Sequence, residues 1–89
     1  MYKVAIPSYK RSETLKKKTL DTLINGGVSS NKIYIFVANK EEQLIYEQAI
    51  PRETYNKIVI GEKGIANQRK FIKNYFKEKE EIVSLDDDI

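Results

Sequence analysis

Four short apolar runs alternate with segments of helical periodicity, and this alternation limits the fold more than any other feature of the chain. The runs are Lys3-Val4-Ala5-Ile6, Lys32-Ile33-Tyr34-Ile35-Phe36-Val37, Lys57-Ile58-Val59-Ile60 and Ile82-Val83-Ser84-Leu85. Pro7 ends the first, because proline cannot donate to a central ladder. The second is the richest in β-branched and aromatic residues. The fourth shows no polar/apolar alternation, as expected of a strand buried on both faces of a parallel sheet. Between the runs, Ser12 stands as an N-cap candidate with Glu13 in the first turn, and Leu15, Leu20, Leu23 and Ile24 form a stripe that ends at Asn25-Gly26-Gly27. Glu41 to about Ile50 carries Leu44, Ile45 and Ala49 at helical spacing before the Pro51 stop, and Ile65 to about Lys77 repeats the pattern through Ile72 and Phe76. Strand and helix in strict alternation with short connections predict an α/β fold. The expected architecture is an open parallel four-stranded sheet, βαβαβαβ, with right-handed crossovers and helical cover.

Eighty-nine residues suffice for a single domain with one modest core. The chain has neither histidine nor cysteine, so imidazole and thiolate chemistry are excluded and any metal must be held by oxygen. No secretory signal and no run of membrane-spanning length is present, which makes a soluble cytoplasmic protein the expectation. The net charge of +3 is unevenly spread: Lys10, Arg11 and Lys16 to Lys18 lie near the front, and Glu78, Glu80, Glu81 and Asp86 to Asp88 near the end. Lys16 to Lys18 read either as a solvated helix face or as part of a basic surface for phosphate or nucleic acid.

In a parallel sheet the segments after each strand open on one edge. Ser8 to Arg11, Asn39, Lys63 to Arg69 and Asp86-Asp87-Asp88 are therefore expected to be neighbours. The three adjacent carboxylates repel one another, and a hard divalent cation is the simplest way to hold them close and ionised. The plain alternative is a solvated acidic segment. Basic and amide groups beside such a cation describe a nucleotide diphosphate site. No GxGxxG follows the first strand, and Gly61-Glu62-Lys63-Gly64 lacks the spacing of a Walker loop, so dinucleotide and P-loop patterns are set aside. Lys63 and Arg69 read equally as surface charge near a helix start or as phosphate ligands. Tyr9 fits either packing at the sheet edge or stacking on a base, whereas Tyr34 and Phe36 read as core.

Three segments in this order, Val4-Ala5-Ile6-Pro7-Ser8-Tyr9-Lys10-Arg11, Gly64-Ile65-Ala66-Asn67-Gln68-Arg69 and Ile82-Val83-Ser84-Leu85-Asp86-Asp87-Asp88, give the chain a family likeness. It resembles the Rossmann-like, nucleotide-sugar-binding half of a GT-A glycosyltransferase of the family-2 type. Within that superfamily it looks most like the TET-associated glycosyltransferases of phages and large DNA viruses. The resemblance implies that Pro7, Ser8, Tyr9 and Arg11 lie against the nucleotide. Asn39 falls where such enzymes often place a base-reading acid, and the change to an amide leaves base identity open. Lys63 and Arg69 face the base or diphosphate, Asp86 the ribose and Asp88 the metal, with Asp87 as the alternative ligand in a second register of the triple acid. The implied cofactor is Mg²⁺ or Mn²⁺, and the implied partner is a nucleotide diphosphate sugar, with UDP-sugars the expected class. The reaction is transfer to an acceptor hydroxyl, with hydroxymethylated pyrimidines in DNA the acceptor suggested by the narrower likeness. The compartment is then the cytoplasm, that of the host cell if the chain is viral. In this fold the acceptor half and its base follow the Asp-x-Asp strand. The chain is accordingly expected to be a donor-site module, residues 1–89, without independent transfer activity.

Two readings from other classes stand beside this one. A noncatalytic module retaining the fold would associate through an open sheet edge, including with a second copy of itself. A phosphotransferase with an Asp-x-Asp nucleophile ranks lower, because that motif usually follows the first strand of such enzymes.

Overall fold

The computed structural model describes residues 2–10, 12–76 and 81–84. Strand β1 (Tyr2–Pro7) leads into a helical run composed of α1 (Ser12–Thr14), a π-helical segment (Leu15–Leu20) and α2 (Asp21–Asn25). Then follow β2 (Ile33–Val37), α3 (Lys40–Ala49), β3 (Lys57–Ile60), α4 (Ile65–Tyr75) and β4 (Glu81–Ser84). The strands form one four-stranded sheet, β3-β2-β1-β4, and every pairing is parallel. The α/β class and all-parallel sheet expected from the alternation are the observed ones. Among the described residues no helix is long and apolar enough to cross a membrane.

Handedness determines which face each helix covers. From β1 to β2 to β3 the chain steps in one direction, so right-handed crossovers place the first helical run and α3 on the same face. There Leu15, Leu20, Tyr46 and Ile50 pack with Val4, Ile6, Ile33, Ile35 and Val37. The connection from β3 to β4 returns across the sheet, which puts α4 on the opposite face. Its Ile72, with Phe76 just beyond the helix, packs on Ala5, Tyr34 and Phe36. Strand β2 lies between these layers, and all five of its residues are buried. Tyr34 and Phe36 are core residues, as their composition indicated.

Three local expectations change. The fourth strand is not buried on both faces: β4 is an edge strand with Ile82 half-buried and Val83 42% exposed. Ile82 packs against the cluster under α4, whereas Leu15 and Leu20 of the first helical run pack with residues of β1 and β2. Helix α3 buries Glu42 and Tyr46, with Ile50 buried just beyond its end, leaving Leu44 and Ile45 exposed by 49% and 48%. The i, i+4 spacing of 42, 46 and 50 sets that face, and a buried glutamate is invisible to a count of apolar residues. The first helix is π-wound over Leu15–Leu20, and Ile24 is exposed. The wider turn buries Leu15, Thr19 and Leu20 while exposing Lys16, Lys17 and Lys18 together.

At the N-terminal end of β3, Tyr55 is buried under the Arg52 guanidinium, which lies 5.1 Å from its ring centroid. Burial pushes the phenol above its ordinary value; Arg52 works against this shift, and Glu47 adds to it. The folded state therefore holds this proton to higher pH than the unfolded chain. Stability from this group is intact below about pH 10 and falls as pH rises through that value. Thermal melts between about pH 9 and pH 11 should show a loss of stability that is smaller in Tyr55→Phe.

Candidate functional site

Ligands of open parallel sheets bind outside the strand C-termini where strand order reverses. Here that point lies between β1 and β4, whose last paired residues are Ala5 and Ser84. The segment beyond β1 is tied down by β2 and α3. The Ser8 N–H donates to the Phe36 carbonyl at the end of β2 (2.9 Å), and the Ser8 hydroxyl shares a buried hydrogen bond with the Tyr46 hydroxyl (2.6 Å). The Lys10 N–H donates to Glu42 Oε1 at 2.7 Å. Lys10 has φ 54°, the left-handed region that residues with a Cβ seldom occupy. Helix α3 thus holds this segment at two points, through Glu42 and Tyr46.

The residues singled out in the sequence fall into distinct situations. Pro7 is buried at the end of β1, in register with Phe36. Ser8 is buried with its hydroxyl turned toward Tyr46, which leaves backbone rather than side chain at the edge. Tyr9 is 41% exposed, with the Lys10 ammonium 5.3 Å from its ring centroid. Asn39 caps α3, its Oδ1 accepting from the Glu42 N–H at 2.9 Å. A capping oxygen with this bond is held rigidly at the sheet edge, and the side chain remains exposed. Lys63 and Arg69 are both exposed, one in the β3–α4 connection and the other on α4. Arg11, Asp86, Asp87 and Asp88 lie outside the described residues.

The edge unites the ends of β1, β2 and β4 more closely than the end of β3. Three strand spacings separate β3 from β4, roughly 14 Å. Lys63 follows β3, the strand farthest from β4 in the sheet, and so stands away from the switch point. Among the described residues no group of three or more acidic side chains is placed to hold a metal ion.

Sequence reasoning did not assign the residues that fix these loops. Besides Glu42 and Tyr46, Gln68 is buried, donates from Nε2 to the Val37 carbonyl (3.2 Å) and accepts from the Glu62 N–H (3.0 Å). It joins the end of β2 to the segment after β3, where the Gly61 N–H also donates to Val37 O (2.8 Å). Their signal was positional: Glu42 precedes Tyr46 and Ile50, and Gln68 precedes Ile72 and Phe76, each at steps of four on a buried stripe. A Cβ on Gly61 would overlap Gln68 Oε1 and approach Phe71 Cδ2 to 3.0 Å. Gly61→Ala must therefore expel a doubly bonded, buried amide. A loss of about 2–3 kcal/mol is expected in urea unfolding, since burying the freed polar groups without partners adds to the overlap. An unchanged midpoint would place Gln68 elsewhere.

A shallow depression of about 550 Å³ runs along α4 between Glu62, Asn67, Lys70, Phe71, Asn74 and Tyr75. Two of its lining rings, Phe71 and Tyr75, also pack against Phe36 of β2. Compared with known proteins, the chain matches no family model, no curated protein and no solved structure.

Proposed function

We propose that the chain is the metal-dependent donor module of a glycosyltransferase, binding a nucleotide diphosphate sugar across the C-terminal edge of its sheet. The observation that carries this reading is the adjacency of β4 to β1 through the Ala5–Ser84 pair. Asp86, Asp87 and Asp88 follow Ser84 within four residues of sequence, and Ser84 ends the strand that pairs with β1. Pro7, Ser8 and Tyr9, with Arg11, are assigned to the nucleotide; the half-exposed Tyr9 ring suits stacking on a base. Asn39, the N-cap of α3 after β2, reads the base edge. Lys63 and Arg69 serve the base or diphosphate away from the switch point, which favours an extended ligand over a compact one.

The oxygen-only donor set of a chain without histidine or cysteine fits Mg²⁺ or Mn²⁺, with Asp88 or Asp87 as ligand and Asp86 on the ribose. When bound, the metal stabilises charge on the departing diphosphate. The protein's own groups then bind and orient the donor for transfer to an acceptor hydroxyl in the parent enzyme, hydroxymethylated pyrimidine DNA being the suggested acceptor. A thermal-shift screen of UDP-, GDP-, ADP-, CDP- and dTDP-sugars, with and without Mn²⁺, tests the reading. A ligand of the folded state alone raises the melting temperature. No metal-dependent shift with any of them would count decisively against it.

The exposed edge of β4 favours a second reading, association through that strand. Light scattering decides it: a concentration-dependent dimer weakened by Val83→Lys supports pairing, and a strict monomer removes it.

A further inference from the structure

We propose that Glu42 is a positioning residue that sets the direction of Tyr9; this inference rests on the nucleotide-site reading above and deepens it. Asn39 is the N-cap of α3, and Glu42 stands three residues later. In a capping box the glutamate would turn back to the N-cap residue's own N–H. Here Oε1 instead accepts from the Lys10 N–H at 2.7 Å, across 32 residues of sequence, and the side chain is only 5% exposed. A buried carboxylate on a backbone N–H makes a strong, directional bond. It holds Lys10 at φ 54°, a conformation unfavourable for a residue with a Cβ.

One turn along α3, the Tyr46 hydroxyl holds Ser8 at 2.6 Å. The two bonds fall on either side of Tyr9, which is itself 41% exposed. The backbone of Tyr9 is therefore clamped before and after, while the residue stays partly open to solvent with the Lys10 ammonium 5.3 Å from the ring centroid. An aromatic platform held this way gives up little freedom when a planar base stacks on it, and a platform on a slack loop gives up more. Glu42 does not need to touch the ligand. Its effect passes through the Lys10 amide.

The test uses the full chain and three substitutions, with two readouts. Glu42→Gln keeps an acceptor of the same reach without charge; Glu42→Asp keeps charge but draws the carboxylate back by one methylene; Glu42→Ala removes both. Hydrogen exchange of the Lys10 amide is followed by NMR. Affinity for UDP, GDP, ADP, CDP and dTDP with Mn²⁺ is measured by calorimetry. Expected are a protected Lys10 amide and near-normal affinity in Glu42→Gln. Glu42→Asp and Glu42→Ala should lose protection and weaken the tightest nucleotide by about tenfold, with Ile35 and Phe36 amides still protected. If Glu42→Ala fails to fold, the Asp and Gln pair carries the comparison. An affinity order that follows charge, with Asp normal and Gln weak, overturns the inference, as does loss of Lys10 protection at unchanged affinity. A wild-type chain that binds none of the five nucleotides overturns the nucleotide-site reading and this role with it. Binding by the wild type that is indifferent to Glu42 overturns this role alone.

Discussion

Phe36→Ala is expected to lower the melting temperature by roughly 15–30 °C, which for a domain of this size leaves little folded protein at physiological temperature. Phe36 is fully buried near the C-terminal end of β2. Its ring meets Phe71, Tyr75 and Phe76 in edge-to-face contacts at centroid distances of 6.1, 5.4 and 6.0 Å. Truncation removes a large transfer term, leaves a cavity and breaks aromatic pairs, for about 3–5 kcal/mol in all. An 89-residue domain has about 5–13 kcal/mol in total. The loss also reaches the site, because this cluster is what seats α4 on the sheet, and α4 carries Gln68 and Arg69. Phe36→Leu, which keeps most of the volume, should cost less than half as much in the same melts. A drop of under 5 °C in Phe36→Ala would contradict the packing described for this face.

The second large effect concerns the carboxylates. Asp88→Ala, or chelation of the wild type with EDTA, should weaken nucleotide-sugar binding by at least about a hundredfold in calorimetry. Removing one of three adjacent acids lessens their mutual repulsion, so the folded state itself should be unharmed or slightly stabilised. Asp87→Ala discriminates between the two registers: the substitution that abolishes metal dependence marks the ligand. Asp86→Ala, assigned to the ribose, should weaken the nucleotide while leaving its dependence on Mn²⁺ in place. Equal affinity with and without EDTA would remove the metal from the account.

The sheet was legible because its signal is redundant. Each strand of a parallel sheet is a continuous apolar run bounded by breakers, and Lys32 to Val37 has no competing interpretation. The single edge bearing all the loops followed from that. Strand order did not, because β4 can add beside β1 or β3 with the same local pattern; handedness and the placement of α4 become visible only in three dimensions. Edge status explains the half-open β4, in which Ile82 and Val83 are flanked by the exposed Glu81 and Ser84. The supporting polar groups were hidden for a related reason. Glu42 and Gln68 are residue types that are ordinarily solvated, and their burial depends on a backbone N–H or carbonyl from a distant loop arriving to meet them. The capping bond of Asn39 is a local feature that the Asn-x-x-Glu spacing encodes.

The most direct measurement is paramagnetic broadening of backbone NMR signals by Mn²⁺ in the presence of a nucleotide diphosphate sugar. If the donor site lies at the β1–β4 switch point, the amides of Ser8, Tyr9, Lys10 and Ser84 broaden first. Those of Asn31 and Asn56, before the starts of β2 and β3 at the opposite edge, stay sharp. Broadening centred on that opposite edge or along α4, or none that depends on the nucleotide, would contradict the account.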